Sequence, residues 1–475
     1  MRALDVVVLG AGTAGLSAAL ALARDGHEVT LVERDPVTVA EPLDAFDWER
    51  HGIPHFLQPH AFIPRGRKEM RAAFPDVFEA LIAAGAWDLD LRPKLPGPLR
   101  PEDDELAYLA VRRPLIEWAL RRAVLEERSV RVVDGVRVTG YDGKPGDPPL
   151  VTGVLTSEGP IAADLVVDAM GRRSATPAWL EQLGARRGEE QSNDCAVVYY
   201  ARYYHVRDGA TLPDGPWLPT PRADLGYAAF STFPGDNRTF AAILAVLPHD
   251  QELKAVKDVA AFEAAVATMP ALYSWANPDT SEPITSVLSM GGLRNTLRTT
   301  VDDGPLALGV CSVADAVCHT NPLLALGLSF SLIHAQALAA ALGEHGADLR
   351  DVALAFDAAI RPEMTERFAF ASALDDARSR MWAGEPVDFA HRGGGAYELF
   401  TFAAGGAGAL VDPDIFRAVV RRNTFLDRLA VLDDDIALQQ RIEDVFAELR
   451  ATPRPRPGPG RDDLLDVVAR ASRAQ

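Results

Sequence analysis

Gly10, Gly12 and Gly15 stand at G-x-G-x-x-G spacing inside "DVVVLGAGTAGLSAALALARDGHEVTLVERD" (residues 5–35), and Glu33 follows Gly10 by 23 positions. These residue types at this spacing suit the binding of a dinucleotide. Gly10 permits a tight turn, Gly12 lets backbone approach a pyrophosphate, and Gly15 lets a helix lie close on a strand. The helix start adds about half a positive charge facing the phosphates. Glu33 is placed to accept ribose hydroxyls, and Thr13, Ala14 and Arg34 complete the predicted contact set. The elements that must position them are all local. Asp5–Leu9 is β-branched and strand-like, Leu16–Arg24 has helical composition, and Glu28–Val32 is again strand-like, so the glycines lie at a strand-to-helix turn of a βαβ unit.

Two later stretches carry further candidate contacts. Residues 164–174, "DLVVDAMGRRS", predict a buried strand ending at Asp168 and a turn at Gly171 with Arg172 and Arg173 beyond it. Residues 306–328, "LALGVCSVADAVCHTNPLLALGL", predict a strand ending at Asp315, a loop containing Pro322, and a helix from near Leu323.

Taken together, the three segments resemble the FAD-dependent oxidoreductases of the p-hydroxybenzoate hydroxylase-like class, the single-component flavoprotein monooxygenases. The resemblance spreads over most of residues 1–345 and implies non-covalent FAD, with NADPH or NADH as a transient reductant. Position by position it implies that Gly10, Gly12, Gly15 and Glu33 hold the ADP part. Asp168 and Gly171 would lie near both cofactors, and Asp315, Pro322 and Gly327 on the flavin side. Arg113, in "VRRPLIEWALRRAV", resembles the family's arginine at a helix start, which reaches the cofactor diphosphate. The late segment departs from the pattern: Ala314 precedes Asp315 where the family has glycine, and Ala325 stands where the family has the first of two glycines. Those glycines allow backbone to approach the flavin edge, where a helix start stabilises negative charge on the reduced ring.

The expected fold class is α/β: a Rossmann-like FAD-binding domain with a β-meander, an antiparallel-sheet substrate domain and a C-terminal helical region. The expected boundaries are 1–172 with 296–345 for the discontinuous FAD-binding domain, 173–295 for the substrate domain, 346–452 for the helices, and 453–475 for a stiff linker and tail helix. In "NDCAVVYYARYYHV", alternation puts Tyr200, Arg202 and Tyr204 on one face and Tyr199, Tyr203 and His205 on the other. The first set is taken as the substrate-lining candidate. Arg65 or Arg67, at a later helix start, is a further candidate for the phosphates. The glycine runs in "HRGGGAY" and "FAAGGAGAL" are expected to break helices.

Composition closes several other routes. With 48 Lys+Arg against 67 Asp+Glu, the formal charge of −19 repels nucleic acid and anionic membrane surfaces. Beyond the first helix no run reaches the roughly 18 apolar residues of a span. Cys195, Cys311 and Cys318 form no CxxC pair, so neither zinc nor a disulfide framework is expected and a cytoplasmic monomer or homodimer fits. His51, His55 and His60 are separated by Pro54 and Pro59, which prevent one helix face from presenting them together to a metal.

No GxSxG, HExxH or paired carboxylates occur at readable spacing, so the catalytic residues stay unassigned and the chemistry falls to the flavin. Three reactions remain open. One is hydroxylation or epoxidation of a bulky hydrophobic small molecule of polyketide or isoprenoid type, as in secondary metabolism. Another is a redox-neutral cyclisation in which FAD is a fixture and rate comes from orientation, worth up to about 7–11 kcal/mol. The third is flavin-dependent reduction of a double bond.

Overall fold

The computed structural model describes residues 2–35, 41–387, 395–451 and 456–473. Its centre is a five-stranded sheet in the order Val310–Ser312, Leu165–Asp168, Asp5–Leu9, Glu28–Val32, Val130–Val133, with every pair parallel. Strands buried on both faces carry continuous apolar runs, and Val6, Val7, Val8 and Leu9 are each at most 1% exposed. The first helix, Thr13–Arg24, fills one face with Leu16, Leu20 and Leu22. The late helix, Gly327–His345, packs directly on it. Both helices start beyond the carboxyl ends of parallel strands, the edge at which open α/β sheets bind ligands.

A three-stranded antiparallel meander at Val138–Lys144, Leu150–Thr156 and Gly159–Ala162 stands beside this sheet, as expected. The second large sheet is antiparallel, in the order Arg222–Asp224, Ala229–Pro234, Thr239–Val246, Val198–Val206, Ser281–Pro283. The long helix Leu349–Trp382 then opens the helical C-terminal region, and the tail helix Arg461–Arg473 returns to the second sheet. Among the described residues no helix is long and apolar enough to cross a membrane.

Several expectations change in the structure. The run "FAAGGAGAL" does not break its helix, which continues over Gly395–Ala409. A Cβ at Gly405 would stand 2.7 Å from Val419 Cγ2, so this glycine serves close helix contact instead. The break expected within "HRGGGAY" and the first part of the linker fall at 388–394 and 452–455, outside the described residues. The late strand ends at Ser312 and the late helix begins at Gly327, not near Leu323. Between them Asn321 caps a short 3-10 turn, Pro322–Leu324, and Ala325 turns the chain left-handed before the helix can start.

His334, on the late helix, accepts the Ala314 N–H through Nδ1 at 2.9 Å. Burial, with Arg361 nearby, pushes its pKa down to about 3. A folded-state pKa below the unfolded one gives stability that is full above the unfolded value and is lost as pH falls towards the folded value. Below pH 6.5 the unfolded chain gains a proton that folded His334 refuses, so unfolding free energy should fall by up to about 1.4 kcal/mol per pH unit. Urea unfolding at several pH values between about 5 and 7 checks this. The slope should be shallower in His334→Gln, and an equal slope in the variant contradicts the assignment.

Candidate functional site

The first site element is the glycine turn. Gly10 has φ +95°, and a Cβ there would meet the Ala169 carbonyl oxygen at 2.9 Å. A Cβ on Gly15 would stand 1.7 Å from the Gly10 carbonyl oxygen, so the helix lies on the strand with no room for a side chain. The first helix has no side-chain cap at Gly12 and no acidic residue in its first turn, which leaves its positive end available to an anion. Thr13 Oγ1 is buried there without a hydrogen-bond partner among the described residues.

Around this turn the structure gathers five charged side chains. Glu33 accepts the Ala11 N–H at 2.7 Å and the Asp35 N–H at 3.0 Å. Arg50 pairs with Glu33 at 3.0 Å, Glu117 at 2.7 Å and Asp35 at 3.4 Å, and its side chain is 1% exposed. Arg113 donates Nε–H to Glu117 at 2.7 Å and Nη1–H to His55 Nε2 at 2.7 Å. Its Nη2 lies 3.3 Å from where a Cβ on Gly12 would be, so the guanidinium reaches over the glycine turn. Since Arg113 can only donate, His55 must accept through Nε2. Burial first, then the charge of Arg113, holds its pKa well below 6.5. His60, its ring stacked 5.9 Å from His55, is pushed down to about 3 by burial.

At the other end, Asp315 faces the start of the late helix. Its Oδ1 is 3.6 Å from the Cβ position of Gly327, and His319 Nε2 is 4.0 Å from Asp315 Oδ2. The late helix also has no side-chain cap and no acid in its first turn. Ala314 and Ala325 both lie in the left-handed region, with φ +49° and +52°. The two departures from glycine therefore keep a glycine-like backbone, and their cost is strain.

The structure thus brings Gly10, Gly12, Thr13, Ala14, Gly15, Glu33 and Arg113 to one end of the site and Asp315, Pro322 and Gly327 to the other. Asp168 and Gly171 adjoin both ends: Asp168 ends the strand paired with Asp5–Leu9, the Ala169 carbonyl approaches Gly10, and the 3-10 turn Gly171–Arg173 packs beside the turn Ala314–Ala316. Asp168 is fully buried and accepts from Ser174 Oγ at 2.6 Å, Ser312 Oγ at 3.2 Å and the Met170 N–H at 3.0 Å, so its carboxylate braces strand ends. Gly171 turns the chain at φ +75° into a 3-10 turn, and Arg34 is exposed beside Gly52. Arg65 pairs with Glu69 at 2.6 Å and Arg67 with Asp88 at 2.6 Å.

The face expected to line the substrate is covered by helices. Tyr200 and Tyr204 pack in the cluster formed with the helices Val259–Ala267 and Pro270–Ala276 and the tail helix, while Arg202 and Tyr204 both bond Glu263. The opposite face, with Tyr199, Ala201 and Tyr203, turns toward Leu293, Leu323 and Trp382 and hence toward the late loop. Arg50, Glu117 and Asn321 were missed. Glu117 stands four residues after Arg113 on one helix, a spacing that signals the pair; Arg50 lies in a proline-rich loop with no period to mark it.

The residues present fit FAD: an uncapped helix start, an unpartnered Thr13 hydroxyl, an acid at the second strand end, Arg113 over Gly12, and a second uncapped helix start beside Asp315. Residues 5–40 match the family described as FAD dependent oxidoreductase. That match covers the opening strand, helix and strand and ends at residue 40. Protein Rv3254 of Mycobacterium tuberculosis (strain ATCC 25618 / H37Rv) is 33% identical over 221 residues, 43% of this chain and 45% of that protein, so the match spans under half the relative's length. The flavin-dependent brominase Bmp2 superposes with a TM-score of 0.61 at 19% identity, over 89% of this chain and 94% of its own. The OxyS anhydrotetracycline hydroxylase of Streptomyces rimosus gives 0.56 at 19%, over 90% and 77%. PqsL of P. aeruginosa in complex with 2-aminobenzoylacetate gives 0.56 at 16%, over 81% and 99%. At these identities the likeness to the solved structures establishes the fold.

A left-handed backbone costs a non-glycine residue about 1–2 kcal/mol, and glycine costs about 0.5–1 kcal/mol in added chain entropy. Ala325→Gly should therefore stabilise the protein by about 0.5–1 kcal/mol, whereas Ala325→Val, β-branched, should destabilise it by more than about 1 kcal/mol. Denaturant midpoints check both. A Val variant as stable as the parent contradicts the left-handed turn.

Proposed function

We propose that this chain binds FAD non-covalently along a track from Glu33 past Gly12 and Arg113 to Asp315 and Gly327. With NADPH or NADH as reductant, it would insert an oxygen atom into a bulky hydrophobic small molecule of aromatic or polyketide type. The observation that carries the reading is the pair of uncapped helix starts on the carboxyl edge of one parallel sheet, each with a carboxylate beside it: Glu33 at the first, Asp315 at the second. Bound FAD supplies the redox chemistry and oxygen activation. Glu33 holds the ribose, the Thr13 hydroxyl and the first-turn N–H groups face the diphosphate, and Arg113 neutralises its charge. Arg50 is buried among Glu33, Asp35 and Glu117 and keeps those carboxylates from repelling a diphosphate. His55 and His60, neutral at pH 7, leave Arg113 as the cation facing the phosphates. The substrate is assigned to the side of the second sheet that turns toward the late loop, the side of Tyr199 and Tyr203.

The names of two fold neighbours, an anhydrotetracycline hydroxylase and a protein holding 2-aminobenzoylacetate, support an aromatic or polyketide substrate. A redox-neutral cyclisation is the second reading. It drew on Ala314 and Ala325, and their glycine-like backbone weakens it.

Anaerobic mixing with NADPH or NADH separates the readings. Bleaching of the flavin band supports a redox role, and product that forms only once oxygen is admitted then supports the monooxygenase over double-bond reduction; substrate turnover with the flavin oxidised throughout supports the cyclase. Arg113→Ala should lose a charge-assisted hydrogen bond worth roughly 1.5–3 kcal/mol, or about one to two decades of FAD affinity. An unchanged dissociation constant removes Arg113 from the diphosphate site.

A further inference from the structure

Behind the late loop lies a buried polar network built around one carboxylate of the C-terminal region. Asp375, on the long helix, is 1% exposed, as is Asn321, and Asn295 is fully buried. Asn321 Nδ2 donates to Asp375 Oδ1 at 2.7 Å, and Asn295 Nδ2 donates to Asp375 Oδ2 at 2.8 Å. Arg378, one turn along the helix, pairs with the same carboxylate and donates to the Cys195 carbonyl at 3.2 Å. Asn295 Oδ1 accepts the Asn321 N–H at 2.7 Å. Asn321 Oδ1 accepts two donors, the Tyr199 hydroxyl at 2.7 Å and the Leu323 N–H at 3.0 Å.

Each acceptor in this set has donors on a different element, so the network ties four pieces of chain to one point. They are the Tyr199 strand of the second sheet, the Asn295 strand, the long helix, and the loop from Asn321 to Ala325. That loop is the one whose left-handed Ala325 starts the late helix. A short turn holding a strained residue persists only if its surroundings over-determine it. Asn321 does this directly, and Asp375 does it by fixing both amides of Asn321 and Asn295 in one orientation.

We propose that Asp375 is a positioning residue: through Asn321 and Asn295 it sets the Pro322–Leu324 turn and the left-handed Ala325, and so the direction of the N–H groups that open the late helix. This rests on the FAD reading above, in which those N–H groups face the ring edge that gains negative charge on reduction. Tyr199 adds the second sheet to the same anchor, so the substrate side and the flavin side share it. A network with only a structural role would alter stability when cut and leave the bound flavin unchanged; a positioning network moves the flavin's potential.

The test uses the full chain loaded with FAD and reads the visible spectrum, the midpoint potential and the FAD dissociation constant. Asn321→Ala removes the cap and the Tyr199 contact. Asp375→Asn with Arg378→Met removes the carboxylate without stranding a buried cation. In both, the reduced-to-oxidised ratio at a fixed potential should fall at least about tenfold, equivalent to a midpoint about 30 mV lower for a two-electron couple. The FAD dissociation constant should change less than about threefold, because the Glu33 and Arg113 end is untouched. Tyr199→Phe removes one hydroxyl and should shift the potential the same way by less; if the other variants do not fold, it decides alone. Wild-type spectra and potentials in the folded variants, with only a lower melting temperature, overturn the inference and leave the FAD reading standing. A wild-type chain that takes up no FAD overturns both.

Discussion

A side-chain carbon on Gly15 would sit 1.7 Å from the carbonyl oxygen of Gly10, and the rest of the structure depends on that missing carbon. Only because the helix Thr13–Arg24 lies this close on its strand does its first turn end at the carboxyl edge of the sheet. The late helix packs against the same helix, which brings its own start to the same edge. Two positive helix ends are therefore held at one edge of the sheet by apolar packing that includes Leu16, Leu20, Leu332 and Leu338. The placement of the proposed cofactor track is thus a consequence of the hydrophobic core, and the polar residues specify what it would hold.

At the glycine turn two guanidiniums, Arg50 and Arg113, meet three carboxylates, Glu33, Asp35 and Glu117, at short range. Taking charges out of water costs several kcal/mol each unless opposite charges and hydrogen bonds satisfy them. Arg50 meets three carboxylates and also contacts the Ala11 carbonyl at 3.3 Å, so the glycine turn, the second strand end and the Arg113 helix are joined by one guanidinium. At the far end Asp375 plays the complementary part, one carboxylate meeting two amides and a guanidinium. Each hub lies on a segment distant in sequence from the motif it supports.

That distance explains what the sequence made legible. The glycine turn, its flanking strands and Glu33 could be located because their relations are local: a turn, a period of two, then a helix within 35 residues. Alternation along Val198–Val206 separated the two faces but not their fates. The residues that cover Tyr200 and Tyr204 come from 259–276 and, across most of the chain, from Leu464 and Val468. Asp168 matched a motif position, yet its partners Ser174 and Ser312 turn it inward. Arg50 and Asp375 had no periodic or motif signal at all. The glycines at 405 and 408 looked like breaks because propensity favours that, and packing against Val419 and Ile415 overrode it.

The central claim is that the glycine turn holds the diphosphate of FAD, and the flavin released on denaturing the purified protein measures it most directly. Gly12 is the position where backbone must come close to a ligand, and a Cβ there already meets Arg113 at 3.3 Å. The account predicts about one FAD per chain from the parent protein and almost none from folded Gly12→Val, whose branched side chain fills the approach. Equal flavin content in a folded Gly12→Val protein would contradict it.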